Sequence, residues 1–152
     1  MKKCQALLHR YPRGVFQVTR DVYAQLVGLA LDEYPLEACG LVAGPLDASG
    51  RAGDTGRVFY PCRNDAESAR VYTVNPQDFM RAETDADERE GEINAVVHSH
   101  THSEPYPSPT DVEAAVSPDW HYVIVSLKRE APEVRSYRIV DGEIVAESLV
   151  VV

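Results

Sequence analysis

The feature of the sequence that most constrains its fold is a short apolar run that leads directly into two histidines. Residues 93–97 have the length and composition of a buried strand, and His98-Ser99-His100 follow without a break. Side chains two residues apart in a strand point to the same face of a sheet. We therefore expect His98 and His100 to share one face at the strand end, where two imidazoles can bind one metal ion.

The residues after the histidines predict a third metal ligand. Residues 108–111 have the pattern of a helix start, because Ser108 suits the N-cap and Pro109 the first helical position. Asp111 then lies in the first turn of a short helix, which we expect to cover residues 112–116. Two imidazoles and one carboxylate would leave a tetrahedral zinc ion with one position for water, which is the pattern of catalytic sites.

Other assignments remain open from the residues alone. The histidines could end a strand while Asp111 stabilises a helix N-terminus, and His102 continues the two-residue alternation as an alternative ligand. Glu37 lies in the turn between a predicted helix and a predicted buried strand, where its carboxylate could move protons for a bound water. An isolated glutamate is usually just solvated, so its position alone assigns Glu37 no role.

The rest of the chain predicts one α/β or α+β domain, residues 1–152. Thr19 and Asn75 suit the N-caps of two helices, the first ending near Tyr34 and the second at about Glu90. Strands mixed with three helices predict one mixed sheet. Strands are expected at residues 40–44, 58–60, 71–74, 93–97, 122–127, 134–140 and 144–152, with a loop at 45–56 and a tight turn at 141–142.

The charge of the chain excludes some classes of function. With 15 basic and 24 acidic side chains, its formal net charge is −9 at pH 7, whereas nucleic-acid binders usually present a basic face. The same balance argues against adhesion to an anionic membrane surface. Residues 76–119 hold 2 basic and 11 acidic side chains, so this segment has a net charge of −9. We expect most of these acids on the solvated face of the second helix.

Cysteine usage and the N-terminal residues predict a cytoplasmic protein. Cys4, Cys39 and Cys62 are odd in number and far apart, which does not suit a disulfide framework. Arg10 and Arg13 interrupt the N-terminal segment before the apolar core of a signal peptide could form. No apolar run approaches the roughly 18–20 residues of a membrane span. The sequence carries no signal for an oligomeric state.

Five residues together resemble the signature of the JAMM (MPN+) zinc metalloprotease family: Glu37, His98, His100, Ser108 and Asp111. That signature is a distant upstream Glu, then H-x-H, seven residues, S, two residues and D, and the chain matches it without a gap. The resemblance covers most of the chain, from about residue 15 onward. It implies a cytidine-deaminase-like fold, in which a curved mixed sheet is flanked by helices.

The resemblance also implies a role for each of these residues. His98, His100 and Asp111 would hold one zinc ion with a bound water. Glu37 would act as general acid and base, and Ser108 would stabilise the tetrahedral intermediate.

The residue after the second histidine indicates a branch of the family. Thr101 stands where the family commonly has proline, and together with the Tyr106-Pro107 that precedes Ser108 it resembles the bacterial branch. An activity described for that branch is release of cysteine from the C-terminus of a ubiquitin-like sulfur carrier protein. The implied substrate partner is therefore such a carrier.

Four other functions can be compared with the sequence; the residues argue against the first two. Nucleobase deaminases carry H-x-E and a later P-C-x-x-C, whereas here Pro61-Cys62 precedes the histidines and Asp65 stands in place of the second cysteine. Cys39 as a thiol nucleophile would need a neighbouring histidine, which the spacing does not provide. A non-catalytic binding or scaffold module of the same fold, and a protease for other small modifiers or peptides, also fit the resemblance.

Overall fold

The computed structural model describes residues 14–152, so Cys4, Arg10 and Arg13 lie outside the described residues. Within this range eight strands and three helices follow one another along the chain. In order they are β1 (Val15–Val18), α1 (Arg20–Glu33), β2 (Cys39–Pro45), β3 (Thr55–Gly56), β4 (Val58–Cys62), α2 (Pro76–Glu88), β5 (Gly91–His100), α3 (Pro109–Glu113), β6 (His121–Ser126), β7 (Glu133–Val140) and β8 (Glu143–Val151).

The strands form one mixed sheet that curls back on itself, in the order β3-β1-β8-β7-β6-β5-β2-β4. Its β3 edge approaches β2, because the backbone N–H of Arg57 donates to the carbonyl of Ala43 at 2.8 Å and the side-chain amide of Asn94 donates to the carbonyl of Thr55 at 3.0 Å. Gly44 permits this approach, since a Cβ there would lie 1.8 Å from the Thr55 oxygen. The predicted class, a mixed sheet flanked by helices, is confirmed.

The two faces of the sheet carry two separate apolar cores. Helix α2 covers one face through Ala82 and Ala86. Along β5, Val96 faces this core, whereas Ala95 and Val97 face the core on the other side. Helix α1 covers that other face with a stripe at i, i+4 and i+8 spacing, formed by Val22, Leu26 and Ala30. The histidines that follow on β5 continue this alternation.

Local sequence signals place the helix starts and the last turn correctly. The hydroxyl of Thr19 accepts from the Val22 N–H at 3.2 Å, which confirms the first cap. The side chain of Asn75 caps α2 in the same way. Asp141 and Gly142 both have positive φ, of 50° and 75°, as a type I′ hairpin turn requires.

The strand predicted at residues 71–74 is wrong. In the described part of the chain, this segment forms only an isolated bridge between Val74 and Asn64. The side chain of Asn64 donates to the carbonyl of Val71 at 3.2 Å and accepts from the N–H of Thr73 at 2.9 Å. These bonds satisfy backbone groups that a neighbouring strand would otherwise satisfy, so the segment is a loop organised by one side chain.

Three other elements differ from the sequence expectation. Strand β1 was not predicted, and β3 lies inside the segment predicted to be a loop. Both are too short for a periodic signal, and each is held by parallel pairing, β1 with β3 and β8. Helix α3 begins at the predicted cap but ends at Glu113, before the predicted limit of residue 116.

The acids expected on the solvated face of α2 are mostly exposed. Glu83, Asp87 and Glu88 are exposed, whereas Asp85 is half-buried and accepts from the hydroxyl of Tyr60 at 2.7 Å. Across residues 14–152, none of the helices combines the length and the apolar character needed to cross a membrane.

A cluster of ionisable groups joins β6, β7 and β8 to the segment before β3; its members on the three strands are buried, whereas Asp54 is exposed. The fully buried side chain of His121 lies 2.5 Å from Glu147 through Nδ1 and 3.1 Å from Asp54 through Nε2. Arg138 contacts both carboxylates, at 3.3 Å and 2.7 Å. Burial alone would raise the pKa of Glu147, but the hydrogen bond and charge of His121, with Ser136 and Arg138, lower the pKa below its ordinary value.

We predict that Glu147→Gln lowers the free energy of unfolding at pH 7 by about 3–5 kcal/mol, because it removes one partner of a buried ion pair. The folded pKa of Glu147 lies below the ordinary 4.5, so its ion pairs stabilise the protein above about that pH and are lost as the pH falls further. Urea denaturation at pH 7 and pH 3 would show the difference between wild type and variant shrinking at the lower pH.

The matched control is Glu143→Gln on the same strand, where the side chain is exposed. We expect this variant to change the free energy of unfolding by less than about 0.5 kcal/mol. Wild-type stability of Glu147→Gln at pH 7, or a deficit that grows on acidification, would contradict the stabilising role of the cluster.

Candidate functional site

Three potential metal ligands meet at the carboxyl end of β5. The Nε2 atoms of His98 and His100 are 3.1 Å apart, and they lie 3.1 Å and 3.2 Å from Oδ2 of Asp111. One ligand atom from each residue lies within 4.8 Å of the others. The side chains of His98, His100 and Asp111 are 3%, 5% and 11% exposed, so the group is largely buried but solvent can still reach it. The structure thus brings the three predicted ligands together.

The start of α3 fixes the carboxylate of this group. Ser108 caps the helix: its hydroxyl accepts from the Asp111 N–H at 3.1 Å, and Oδ2 of Asp111 accepts from the Ser108 N–H at 2.8 Å. This reciprocal capping box is a local arrangement that the sequence pattern specifies. Oδ2 is the same oxygen that faces both imidazoles, so the helix cap also orients the candidate ligand.

The two histidines differ in how their second nitrogen is held. Nδ1 of His100 lies 2.7 Å from the carbonyl oxygen of Glu104, and because a carbonyl only accepts, this nitrogen carries the proton. In the neutral ring the lone pair of Nε2 then points into the site, as a metal ligand requires, whereas the protonated ring donates from Nε2 to Asp111. Nδ1 of His98 is buried and has no hydrogen-bond partner in the part of the chain that the structure describes. Its ring instead stacks on Tyr72, with ring centroids 4.4 Å apart.

Burial and hydrogen bonding act in opposite directions on these groups. Burial lowers the pKa of His98 below its usual value. Burial also acts to lower the pKa of His100, but hydrogen bonds to Asp111 and to the Glu104 carbonyl raise it overall. The carboxyl of Asp111 is penalised by burial, yet its bonds to the two imidazoles hold its pKa far below the usual range. Asp111 is thus an anion, as a metal ligand must be.

Glu37 reaches the same site from the residue pair before β2. Its backbone N–H donates to the Ser68 carbonyl at 2.8 Å, and its carbonyl accepts from the Asn64 side chain at 3.0 Å. The residue is 4% exposed, and its Oε2 atom has no hydrogen-bond partner among residues 14–152. Burial raises the pKa of Glu37 to about 7, with His100 opposing the shift and Asp111 adding to it. A carboxyl group with this pKa can both accept and donate a proton near neutral pH.

Ser99 connects the histidine strand to the Glu37 segment. It is fully buried on the face opposite the histidines. Its hydroxyl accepts from the Ala38 N–H at 2.7 Å, and its own N–H donates to the Ala38 carbonyl at 3.0 Å. Ala38 adjoins Glu37, so these two bonds fix the candidate proton carrier relative to the candidate ligands.

The loop between β4 and α2 contributes residues that the sequence pattern does not reveal. Its residue Tyr72 stacks on His98, and the hydroxyl of Thr101 donates to the carbonyl of Ala69 at 3.2 Å. Asn64 organises the loop by four hydrogen bonds, two accepted and two donated. Tyr72 was hidden by the mistaken strand prediction. Asn64, a polar residue two positions after the end of β4, is the signal in the sequence for this loop.

His102 and Cys39 have different surroundings from the ligands. His102 is exposed, and its Nδ1 lies 2.9 Å from the Thr101 hydroxyl, outside the ligand group. Cys39 pairs in register with His98, a neighbour that the spacing did not predict. Burial nevertheless raises the pKa of the Cys39 thiol to about 12, so the thiol is protonated near neutral pH and is a poor nucleophile.

Similarities to known proteins cover nearly the whole chain. The family described as prokaryotic homologs of the JAB domain matches residues 19–140. The chain is 38% identical over 151 residues to the CysO-cysteine peptidase of Mycobacterium tuberculosis. The aligned region covers 96% of this chain and 97% of that protein. It is 33% identical over 98 residues to the desampylase of Haloferax volcanii, covering 64% of this chain and 67% of that protein.

The fold is also found among solved structures. A JAB1/MPN domain protein from Archaeoglobus fulgidus matches with a TM-score of 0.57 at 17% identity, over 89% of this chain and 99% of that one. At this identity the match supports the architecture, a curled mixed sheet between helices.

We predict that Asp111→Ala weakens zinc binding by more than the roughly 10- to 100-fold that the loss of a group supporting a ligand costs, because it removes one of three converging ligand atoms. Zinc titration of metal-free protein, followed by elemental analysis after dialysis, measures the effect. Asp111→Asn serves as a second variant, since its amide oxygen can still accept from the Ser108 N–H and preserve the helix cap.

Glu113→Ala provides the matched control, because Glu113 is exposed on the same helix and lies outside the ligand group. Its zinc affinity should equal that of wild type. Full zinc occupancy in Asp111→Ala would place the third ligand elsewhere, with His102 the first residue to test.

Proposed function

Because the chain belongs to the prokaryotic JAB-domain family, we propose that it is a zinc-dependent metallopeptidase. The observation that carries this proposal is the position of the Glu37 carboxyl, which is buried beside three converging ligand atoms. A metal site with a proton carrier next to it is the minimal machinery for hydrolysis by an activated water.

The donor set suits zinc. Two imidazole nitrogens and one carboxylate oxygen are the ligands of a catalytic rather than a structural zinc site. His100 and Asp111 would offer Nε2 and Oδ2, each already oriented by a bond to the backbone. When bound, zinc would polarise the scissile carbonyl and lower the pKa of a bound water to about 7.

Glu37 would carry the protons of the reaction. Its carboxylate would take a proton from the attacking water and later give it to the leaving amine. Burial raises the pKa of the Glu37 carboxyl to about 7 in the protein without metal, and the charge of a bound zinc ion would lower this pKa, which favours the carboxylate form that accepts the proton from water.

Ser108 would stabilise charge on the substrate oxygen. Its hydroxyl uses a lone pair to accept from the Asp111 N–H, which leaves the hydroxyl hydrogen to be donated into the site. A donor placed at a developing oxyanion contributes about 2.7–4 kcal/mol to transition-state stabilisation.

The substrate we propose is the C-terminal tail of a ubiquitin-like sulfur carrier protein, from which cysteine is released. Similarity to the CysO-cysteine peptidase over almost all of both chains supports it. Similarity to the desampylase over a shorter stretch supports a second candidate, cleavage of another small modifier. The free thiols Cys39 and Cys62 favour action in the reducing cytoplasm, and the net charge of −9 disfavours nucleic-acid and membrane partners.

We predict that Glu37→Gln slows cysteine release from a carrier–cysteine adduct by about 10²–10⁴-fold, since it removes the proton carrier. Zinc content should be unchanged, because Glu37 is not among the ligands. The measurement is the rate of cysteine release per enzyme molecule. The matched control is Glu33→Gln, whose side chain is exposed at the end of α1, and a chelated sample is the metal-free reference.

Undiminished release by Glu37→Gln would rule out this mechanism. Absence of release by the zinc-loaded wild type from any carrier or peptide, with a fold indifferent to chelator, would instead favour a scaffold function.

A further inference from the structure

An apolar cavity of about 300 Å³ adjoins the candidate active site. Part of its lining is a row of three cross-strand neighbours on β2, β5 and β6, which are Leu41, Val96 and Tyr122. Val96 precedes His98 by two residues and faces the same side of β5. At the rise of a strand, this places the row about 7 Å from the row that holds His98.

Two elements connect the cavity to the site. Tyr72 lines the cavity and also stacks on His98, with ring centroids 4.4 Å apart. Ala114, which directly follows α3, lines it as well, and the first turn of α3 carries Asp111. The cavity therefore adjoins the candidate ligands on two sides, at the loop after β4 and at the end of α3.

The lining is free of charge in an otherwise acidic region. Phe79, Val116 and Trp120 are among the lining residues, and Thr73 and Tyr hydroxyls are its polar groups. Val116 is 70% exposed, so it lies at the solvent-facing side of the cavity. The volume lies at the lower limit of ligand sites, with room for one or two side chains rather than for a cofactor.

We propose that this cavity binds an apolar side chain of the substrate tail, two or three residues before the scissile bond on the acyl side. The inference rests on the proposed peptidase function. In the proposed reaction the leaving group is one cysteine residue, so no other side chain lies on that side of the scissile bond. The apolar side chain therefore belongs to the tail on the acyl side. An extended peptide advances about 3.3 Å per residue, so a side chain at this distance from the scissile bond spans the 7 Å to the cavity.

Trp120 provides a signal that does not depend on catalysis, because it is the only tryptophan of the chain and lines the cavity. The probes are hexapeptides of glycine and serine with one leucine moved through the last four positions, and the same series with aspartate. Titrated into metal-free protein, leucine peptides should change the Trp120 emission and bind roughly 10- to 150-fold more tightly than aspartate peptides, with one preferred position.

Val116→Lys should abolish the preference for leucine, because it places a charge at the cavity. Val116 is exposed, so the variant should fold. Glu113→Gln, which alters the net charge by the same +1 outside the lining, should keep the preference. Ala114→Phe, which fills the cavity, is the second blocking variant and should weaken leucine-peptide binding to the level of aspartate peptides.

The same peptides extended by cysteine separate this inference from the proposed function. Leucine-selective binding without hydrolysis would support the cavity site while contradicting the peptidase function. Hydrolysis with equal kcat/KM for leucine and aspartate peptides, and no change in Trp120 emission, would overturn the cavity site alone. An emission change that depends on protein concentration instead of peptide would assign the cavity to a second copy of the chain and overturn the proposal.

Discussion

The alternation of side chains along the last three residues of β5 is the constraint on which the site depends. It turns His98 and His100 to the face where α3 presents Asp111, and it turns Ser99 to the opposite face. Ser99 there binds Ala38, next to Glu37. One stretch of strand therefore positions both the ligands and the proton carrier. A register shift of one residue would turn the two histidines away from α3 and turn Ser99 toward it, which would abolish the site.

Burial explains why these groups are chemically distinct from the other acids of the chain. Asp111 stays ionised because two imidazoles and a backbone N–H face it, whereas burial raises the pKa of Glu37 to about 7. The acidic side chains of α2 are mostly exposed, so they contribute to the net charge but not to the candidate site. Net charge thus indicates the segment that contains Asp111, but the environment of each carboxyl determines its role.

Sequence reasoning succeeds where the determinants are local. The H-x-H spacing, the Ser108 cap and the first turn that holds Asp111 are all specified within 14 residues, 98–111, and the structure brings them together. The position of Glu37 depends on pairing between β2 and β5 and was accessible only through the family resemblance. Tyr72 and the cavity depend on the side chain of Asn64, which replaces a strand with a loop, and no periodic pattern encodes that exchange.

The most direct test of the account is anomalous diffraction at the zinc absorption edge from crystals of the zinc-loaded protein. We expect one peak at about 2.0–2.2 Å from Nε2 of His98, Nε2 of His100 and Oδ2 of Asp111, with the Glu37 carboxyl beside the ion but not coordinated to it. A peak held by His102 in place of Asp111, direct coordination by Glu37, or zinc bound only elsewhere on the chain would contradict it.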